Sequence, residues 1–280
     1  MPELAEVAII ADILDGNIGG KKMTSFDIVA GRYLKKDPVG YWDFVDELPM
    51  TVNKVDSKGK FMWFELEGKK PDNKWYILQN FGLAGRWALE EPPRPNFIVS
   101  FGKTKIYYID DRHFGTVVFT PNKADLDAKL NKLGPDFLKT PNVNLKDIQT
   151  IDKPIVDILK DQGKIGSGIG NYLSAEILYR AKIDPFRHGI NITNKELDNL
   201  NYWIKYLTKL AYSHNSTRYM NKIGSDIKTI RKKNYHKDIT LKEPTFVFKV
   251  YRQKTDPKGN PVESLKNKGQ TTYWVPAVQK

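Results

Sequence analysis

An α+β fold in two domains is what the sequence predicts, from three observations. Short aromatic-rich runs recur between residues 60 and 119 at the spacing of strands in a sandwich or barrel. Near residue 122 the pattern changes to apolar positions three and four apart, the period of helices. Toward the C-terminus alternation returns around a polar loop, which predicts a hairpin. The domains are therefore set at 1–122, a sandwich with flanking helices, and at 123–280, a helical domain closed by a hairpin at about 246–280.

In chain order, Leu4, Val7, Ala11 and Leu14 predict a helix over 4–15 that ends at Gly19-Gly20. Strands are predicted at Lys60–Leu66, Lys74–Leu78, Phe97–Phe101, Lys105–Ile109 and Thr116–Phe119. Asp125–Leu133 reads as a helix, and Pro154 suits the first turn of another. Glycines 163, 166, 168 and 170 make a turn before a helix over Tyr172–Ala181. Thr193 and Glu196 form a capping box ahead of the apolar stripe Leu197, Leu200, Ile204, Leu207 and Ala211. Phe246, Phe248 and Val250 alternate as the first strand of the closing hairpin, and Thr272 and Trp274 begin the second.

The net charge of +12 favours a polyanionic partner, nucleic acid or an acidic membrane surface. The charge is uneven. Lys228 to Lys280 holds thirteen Lys or Arg against four Asp or Glu, with Tyr and Trp interleaved, which suits a phosphate-facing surface. Without cysteine there is no disulfide or thiolate metal site, and no two of the four histidines are four residues apart, so no metal and no cofactor are expected. No apolar run is long enough to span a bilayer and the start MPELAEVAII lacks a basic leader, so an intracellular place in cytosol or nucleus is expected.

Pro2 follows the initiator methionine, which is normally trimmed before a small residue, leaving a secondary amine. An α-amine has a pKa of about 7.7 to 8.0, so much of it is unprotonated near neutrality and can attack a sugar carbon to give a Schiff base. Glu3 and Glu6 could supply proton transfer and orientation. The same residues also make an ordinary helix start, because proline suits the first position and glutamate the first turn.

Further motifs decide between these readings. Pro2-Glu3-Leu4-Ala5-Glu6 resembles the P-E-[LG]-P-E start of the formamidopyrimidine–endonuclease VIII family of DNA glycosylases, with Ala5 in place of proline. Asn80-Phe81-Gly82-Leu83-Ala84-Gly85 is similar to the family's H-L-G-M-[ST]-G, and Asp110-Asp111-Arg112-His113-Phe114-Gly115 to D-x-R-R-F-G. Leu133-Gly134-Pro135-Asp136 resembles its L-G-P-[DE] junction, and Asp161 to Glu176 its helix–two-turn–helix signature. The C-terminal hairpin resembles the family's finger, where most members hold zinc on four cysteines. Here Val250-Tyr251-Arg252-Gln253 and Thr271-Thr272-Tyr273-Trp274 stand without cysteine, as in the zincless finger of the animal and giant-virus endonuclease VIII-like branch.

The resemblance implies a bifunctional DNA glycosylase and abasic-site lyase that flips a damaged base from DNA bound between two domains. It implies Pro2 as nucleophile, Glu3 as general acid or base, Glu6 as supporting carboxylate and Lys60 as a ligand of the phosphates beside the lesion. Leu83 would fill the gap left by the flipped base, with Arg112 pairing to the orphaned base and Phe114 stacking beside it. His113 replaces a second arginine. Asn171 and Lys164 would meet phosphate, Gly168 and Gly170 would shape the turn, and Glu176 would order it. At the finger, Gln270 stands where the family usually inserts an arginine between phosphates, with Arg252, Lys266 or Lys268 as candidate replacements. The partner implied is damaged double-stranded DNA, with single-stranded DNA as a second candidate, no membrane, and a monomeric protein. The zincless branch implies oxidised pyrimidines and hydantoins as substrates, and Val156 stands where the formamidopyrimidine branch often has lysine. Lesion choice is also assigned to the region Ser213 to Asn234. A nonenzymatic damage-binding module would keep Lys60, Leu83, Arg112, Phe114 and Asn171 but lose the Pro2-Glu3 chemistry.

Overall fold

The computed structural model describes residues 2–70, 73–215, 233–267 and 269–280. Most of the Ser213–Asn234 region, and Lys268, lie outside them. The described chain divides into two compact units. The first holds Pro2 and Glu6–Asn131, the second Glu3–Ala5, 132–215 and 233–280.

The first helix, α1 (Leu4–Ile18), runs slightly beyond the predicted span before Gly19 and Gly20. Leu4, Val7, Ile9, Ile10, Leu14 and Ile18 are all buried, so α1 is enclosed on nearly every side rather than along one stripe. Short strands β1 (Lys22–Met23) and β2 (Ser25–Ile28) and helix α2 (Tyr41–Asp46) precede the main strands. These are β3 (Met50–Lys58), β4 (Phe61–Glu67), β5 (Lys74–Asn80), β6 (Arg86–Ala88), β7 (Phe97–Phe101), β8 (Thr104–Ile109) and β9 (Thr116–Thr120). They form two antiparallel sheets, β1-β3-β4-β5-β9 and β2-β7-β8-β6. Aromatic side chains join the sheets. Phe26 of β2 meets Phe119 of β9 edge-on at 5.0 Å, and Phe64 of β4 meets Trp87 of β6 at 5.7 Å. Such pairs contribute about 0.5–1.5 kcal/mol each beyond their burial. The Trp87 Nε1–H donates to the buried Gln79 Oε1, which leaves that indole satisfied.

The change of pattern near residue 122 marks the start of α3 (Lys123–Asn131), which packs with the first unit; the second begins at Lys132. Buried Leu126, the Thr120 hydroxyl donating to Asp125 and Lys58 Nζ donating to the Leu130 carbonyl hold α3 to the strands.

The second unit contains α4 (Ile155–Lys160), α5 (Asn171–Ala181) and α6 (Asn194–His214). Pro154 caps α4 from just outside its first turn, and α6 has the full capping box, with Thr193 and Glu196 bonded reciprocally. Leu173, Ile177, Leu178, Leu200, Ile204 and Leu207 form the core between α5 and α6.

The closing hairpin differs from the reading at 246–250. Its strands are β10 (Glu263–Asn267) and β11 (Gln270–Trp274), paired in register from Glu263↔Trp274 to Asn267↔Gln270. The 246–250 stretch forms no regular strand, because its side chains and backbone are used against α5. Phe246 and Phe248 pack on Tyr172 at 5.7 and 5.5 Å, and the following N–H groups turn toward Glu176.

Candidate functional site

Pro2 is buried, and Glu3 beside it leaves only 1% of its surface exposed. The Glu3 carboxylate sits at the start of α5. Its Oε2 accepts from Gly170 N–H at 2.6 Å and Leu173 N–H at 3.3 Å, and its Oε1 accepts from Tyr172 N–H at 2.9 Å. The Leu4 N–H donates to the Gly168 carbonyl at 3.1 Å. An α-helix leaves its first N–H groups unpaired and carries partial positive charge there, so a carboxylate satisfies both requirements. Gly170 acts through its backbone, and Gly168 needs its glycine for a φ of 108°. Glu6 lies buried on α1, and Lys60 lies half-buried at the β3–β4 turn, after Gly59 at φ 57°. These two residues and Pro2 belong to the first unit, Glu3 and α5 to the second.

The first unit brings together two of the predicted recognition motifs. Gly82 has φ 59°, and a Cβ there would lie 2.6 Å from the Phe114 carbonyl carbon and 2.7 Å from Gly115 N, so the 81–85 and 112–115 loops touch backbone to backbone. Leu83 and Phe114 both stay exposed, at 39% and 58%. Exposed apolar side chains on tightly braced loops suit insertion into a base stack. The bracing comes from Asp110, the first residue of the 110–115 motif. Its buried carboxylate accepts from Gly115 N–H at 2.6 Å and Arg112 N–H at 3.2 Å, while its own N–H donates to Asn96 Oδ1 at 2.6 Å. The signal was the aspartate itself, a residue that caps turns with its side chain. Arg112 is exposed beside these loops. His113 adopts φ 55° and directs Nδ1 to the Asn96 amide at 3.3 Å, so this ring nitrogen faces the scaffold.

In the second unit the 161–170 turn is organised by Gln162 and Asp161 rather than by Glu176. Gln162 Nε2 donates to the carbonyls of Lys160 and Ile169, and its Oε1 accepts from Gly168 N–H. Asp161 Oδ1 accepts from the N–H groups of Gly163 and Lys164. Glu176 instead turns to the base of the finger. Its Oε1 accepts from the N–H groups of Lys249, Val250 and Tyr251, each at 2.9 Å. Burial pushes the Glu176 carboxyl up, opposed first by the three N–H groups and then by Arg180. The physical reason is reach. Three convergent N–H groups offer a better site for a buried carboxylate than a turn whose N–H groups already have partners.

Arg252 follows this anchored segment at φ 59° and places its guanidinium 5.3 Å from the Tyr251 ring. Tyr251 also meets Tyr172 and Tyr273, linking α5 to β11. Asn171 opens α5 half-buried, Lys164 is exposed on the turn, and Gln270 is exposed at the start of β11.

The finger does not fit the zinc site that the family resemblance implies for most members. The sequence has no cysteine, and among the described residues no three His, Asp or Glu converge as a ligand set. A buried carboxylate stands at the finger base instead. Asp256 accepts from the N–H groups of Lys258 and Asn260, the Asn260 amide and the Tyr179 hydroxyl, at 2.8 to 3.1 Å. These bonds hold the Asp256 carboxyl below its ordinary range although burial pushes it up.

Comparisons with known proteins agree with this architecture. Residues 1–117 match the family model of the formamidopyrimidine-DNA glycosylase N-terminal domain, and residues 237–280 that of its C-terminal domain. The formamidopyrimidine-DNA glycosylase of Streptococcus mutans is 27% identical over 296 residues, covering 100% of both chains. Two solved structures of the Lactococcus lactis enzyme superpose with TM-score 0.77 at 22% identity. One is bound to DNA with an abasic site and covers 99% of both chains; the other is bound to DNA with an oxidised pyrimidine and covers 100% of both. Two models of one family, one at each end of the chain, together match more than half of it, and the chain accordingly belongs to the formamidopyrimidine-DNA glycosylase family of DNA glycosylase/abasic-site lyases.

Proposed function

We propose that the protein excises oxidised bases from double-stranded DNA with the Pro2 amine as nucleophile. After removal of Met1 the amine attacks C1′, the damaged base leaves with a proton, and the sugar ring opens to a positively charged iminium. That cation draws electrons from C2′ after proton loss, which expels the 3′ phosphate by β-elimination and then the 5′ phosphate by δ-elimination. Water releases the sugar remnant and restores the amine.

The observation that carries this reading is the anchoring of Glu3. A carboxylate next to the proposed nucleophile is fixed at the start of α5 by three backbone N–H groups, which holds it in one orientation for proton transfer. Lys60 and Asn171 serve as phosphate ligands, Glu6 as a supporting carboxylate, and Leu83, Arg112 and Phe114 as the set that replaces the flipped base. The reading includes a monomer acting on intracellular DNA, with single-stranded DNA as a weaker partner. Oxidised pyrimidines and hydantoins are the proposed substrates, as in the zincless endonuclease VIII-like branch. The cysteine-free finger and Val156 at the position of the other branch's lysine support that choice. The L. lactis structure with DNA containing an oxidised pyrimidine also supports that choice.

Borohydride trapping on abasic DNA tests the chemistry. The native protein is expected to form a covalent adduct, and a protein with an unremoved N-terminal tag to form none. Glu3→Gln should leave damaged bases attached yet still trap a preformed abasic site. A tagged protein that traps at the normal rate would exclude Pro2, and a native protein that binds without trapping would be a damage-binding module.

A further inference from the structure

A cleft of about 570 Å³ in the second unit lies between α4 and the β10–β11 hairpin. Lys153, Asp157, Lys160, Lys164, Gln270 and Thr272 are among the residues that line it. Lys160 is the unusual member. Its side chain is only 15% exposed, and its ammonium meets Asp157 at 3.6 Å, beyond hydrogen-bond reach, while Asp157 itself is half exposed to water. Among the described residues no acceptor takes a hydrogen bond from this ammonium. The Lys160 stem is largely covered while the ammonium still opens on the cleft, ion-paired to Asp157 but within reach of an anionic group that enters. Asp161 also lines the cleft and turns its Oδ1 to the N–H groups of Gly163 and Lys164. Gln270 and Thr272 add an amide and a hydroxyl from the hairpin side.

We propose that this cleft is a phosphate site, in which Lys160 from α4 and Gln270 from the hairpin together hold one backbone phosphate of the bound DNA. This rests on the DNA reading above. It assigns the cationic contact at the finger to a residue on the opposite wall, so that a glutamine suffices at position 270. Lys160 was not among the residues singled out from sequence, because a lysine closing a helix is ordinary there and only burial sets it apart.

Binding to an abasic-site duplex, measured against salt, tests the assignment. Lys160→Met is expected to reduce the slope of log affinity against log salt by about 0.9, one phosphate contact, and to weaken binding roughly tenfold at moderate salt. Lys160→Arg should retain the slope. Should the Met variant not fold, Lys160→Gln keeps a polar head without charge and carries the same expectation. An unchanged slope in either neutral variant overturns the proposal. Calorimetry with inorganic phosphate then separates two reasons for that failure, a small phosphate-bearing ligand if heat of binding depends on Lys160, and a cleft that simply holds solvent if it does not. Failure of the underlying reading looks different, because the native protein would then form no borohydride adduct.

Discussion

Glu176 draws three backbone N–H groups of the finger base onto one buried carboxylate oxygen. Glu176→Ala would leave those donors buried without an acceptor, and roughly 3 kcal/mol of stability should be lost, to be read from the midpoint of urea unfolding. His236 poses the opposite problem. Its Nε2 bonds to the Phe137 carbonyl, while Nδ1 is buried with no partner. Burial lowers its pKa first, the Phe137 bond opposes this, Lys205 lowers it further, Asp238 raises it and Lys209 lowers it. A histidine with a lowered folded pKa stabilises the protein above its unfolded pKa and loses that contribution as pH falls. Thermal stability should therefore decline from about pH 6.5 downward, and Gln at position 236 should flatten that part of the profile. Melting curves at several pH values check this, and a parallel decline in both proteins would remove His236 as its source.

Within the elements, carboxylates and aromatic rings hold the finger. The Asp256 turn, the Glu176 anchor and the contacts of Tyr251 with Tyr172 and Tyr273 supply the constraint. Asp256→Ala should loosen the turn by about 2 kcal/mol, visible as faster hydrogen exchange at the amides of Lys258 and Asn260. DNA affinity should fall with it. The strands at 97–101 and 104–109 and the α6 capping box were legible because period and cap chemistry are local. The first strand of the hairpin was misplaced at 246–250, since alternation of Phe246, Phe248 and Val250 cannot distinguish a strand from a segment wrapped around α5. The site was legible as motifs. The bond partners of Glu3 and Glu176 were not, because they lie 167 to 170 and 73 to 75 positions away and no local pattern encodes them.

For the whole molecule, the +12 charge and its C-terminal concentration set the ionic behaviour. Log affinity for duplex DNA should fall linearly with log salt, by about 0.9 for each phosphate neutralised, and a flat line would contradict a phosphate-facing surface. Chelation should change neither melting temperature nor excision rate, because carboxylate turns hold the finger. Stoichiometric zinc in the purified protein, with activity lost on chelation, would show otherwise. The Glu3 contacts also have a consequence for biosynthesis. Glu3 is made early, yet the N–H groups at the start of α5 that donate to it are all in place only after Leu173 has been synthesised. At about 5–20 residues per second, that leaves the nascent end waiting roughly ten to thirty seconds. Once α5 has formed, its first N–H groups close on the Glu3 carboxylate, and positions 167 to 170 residues apart are fixed together.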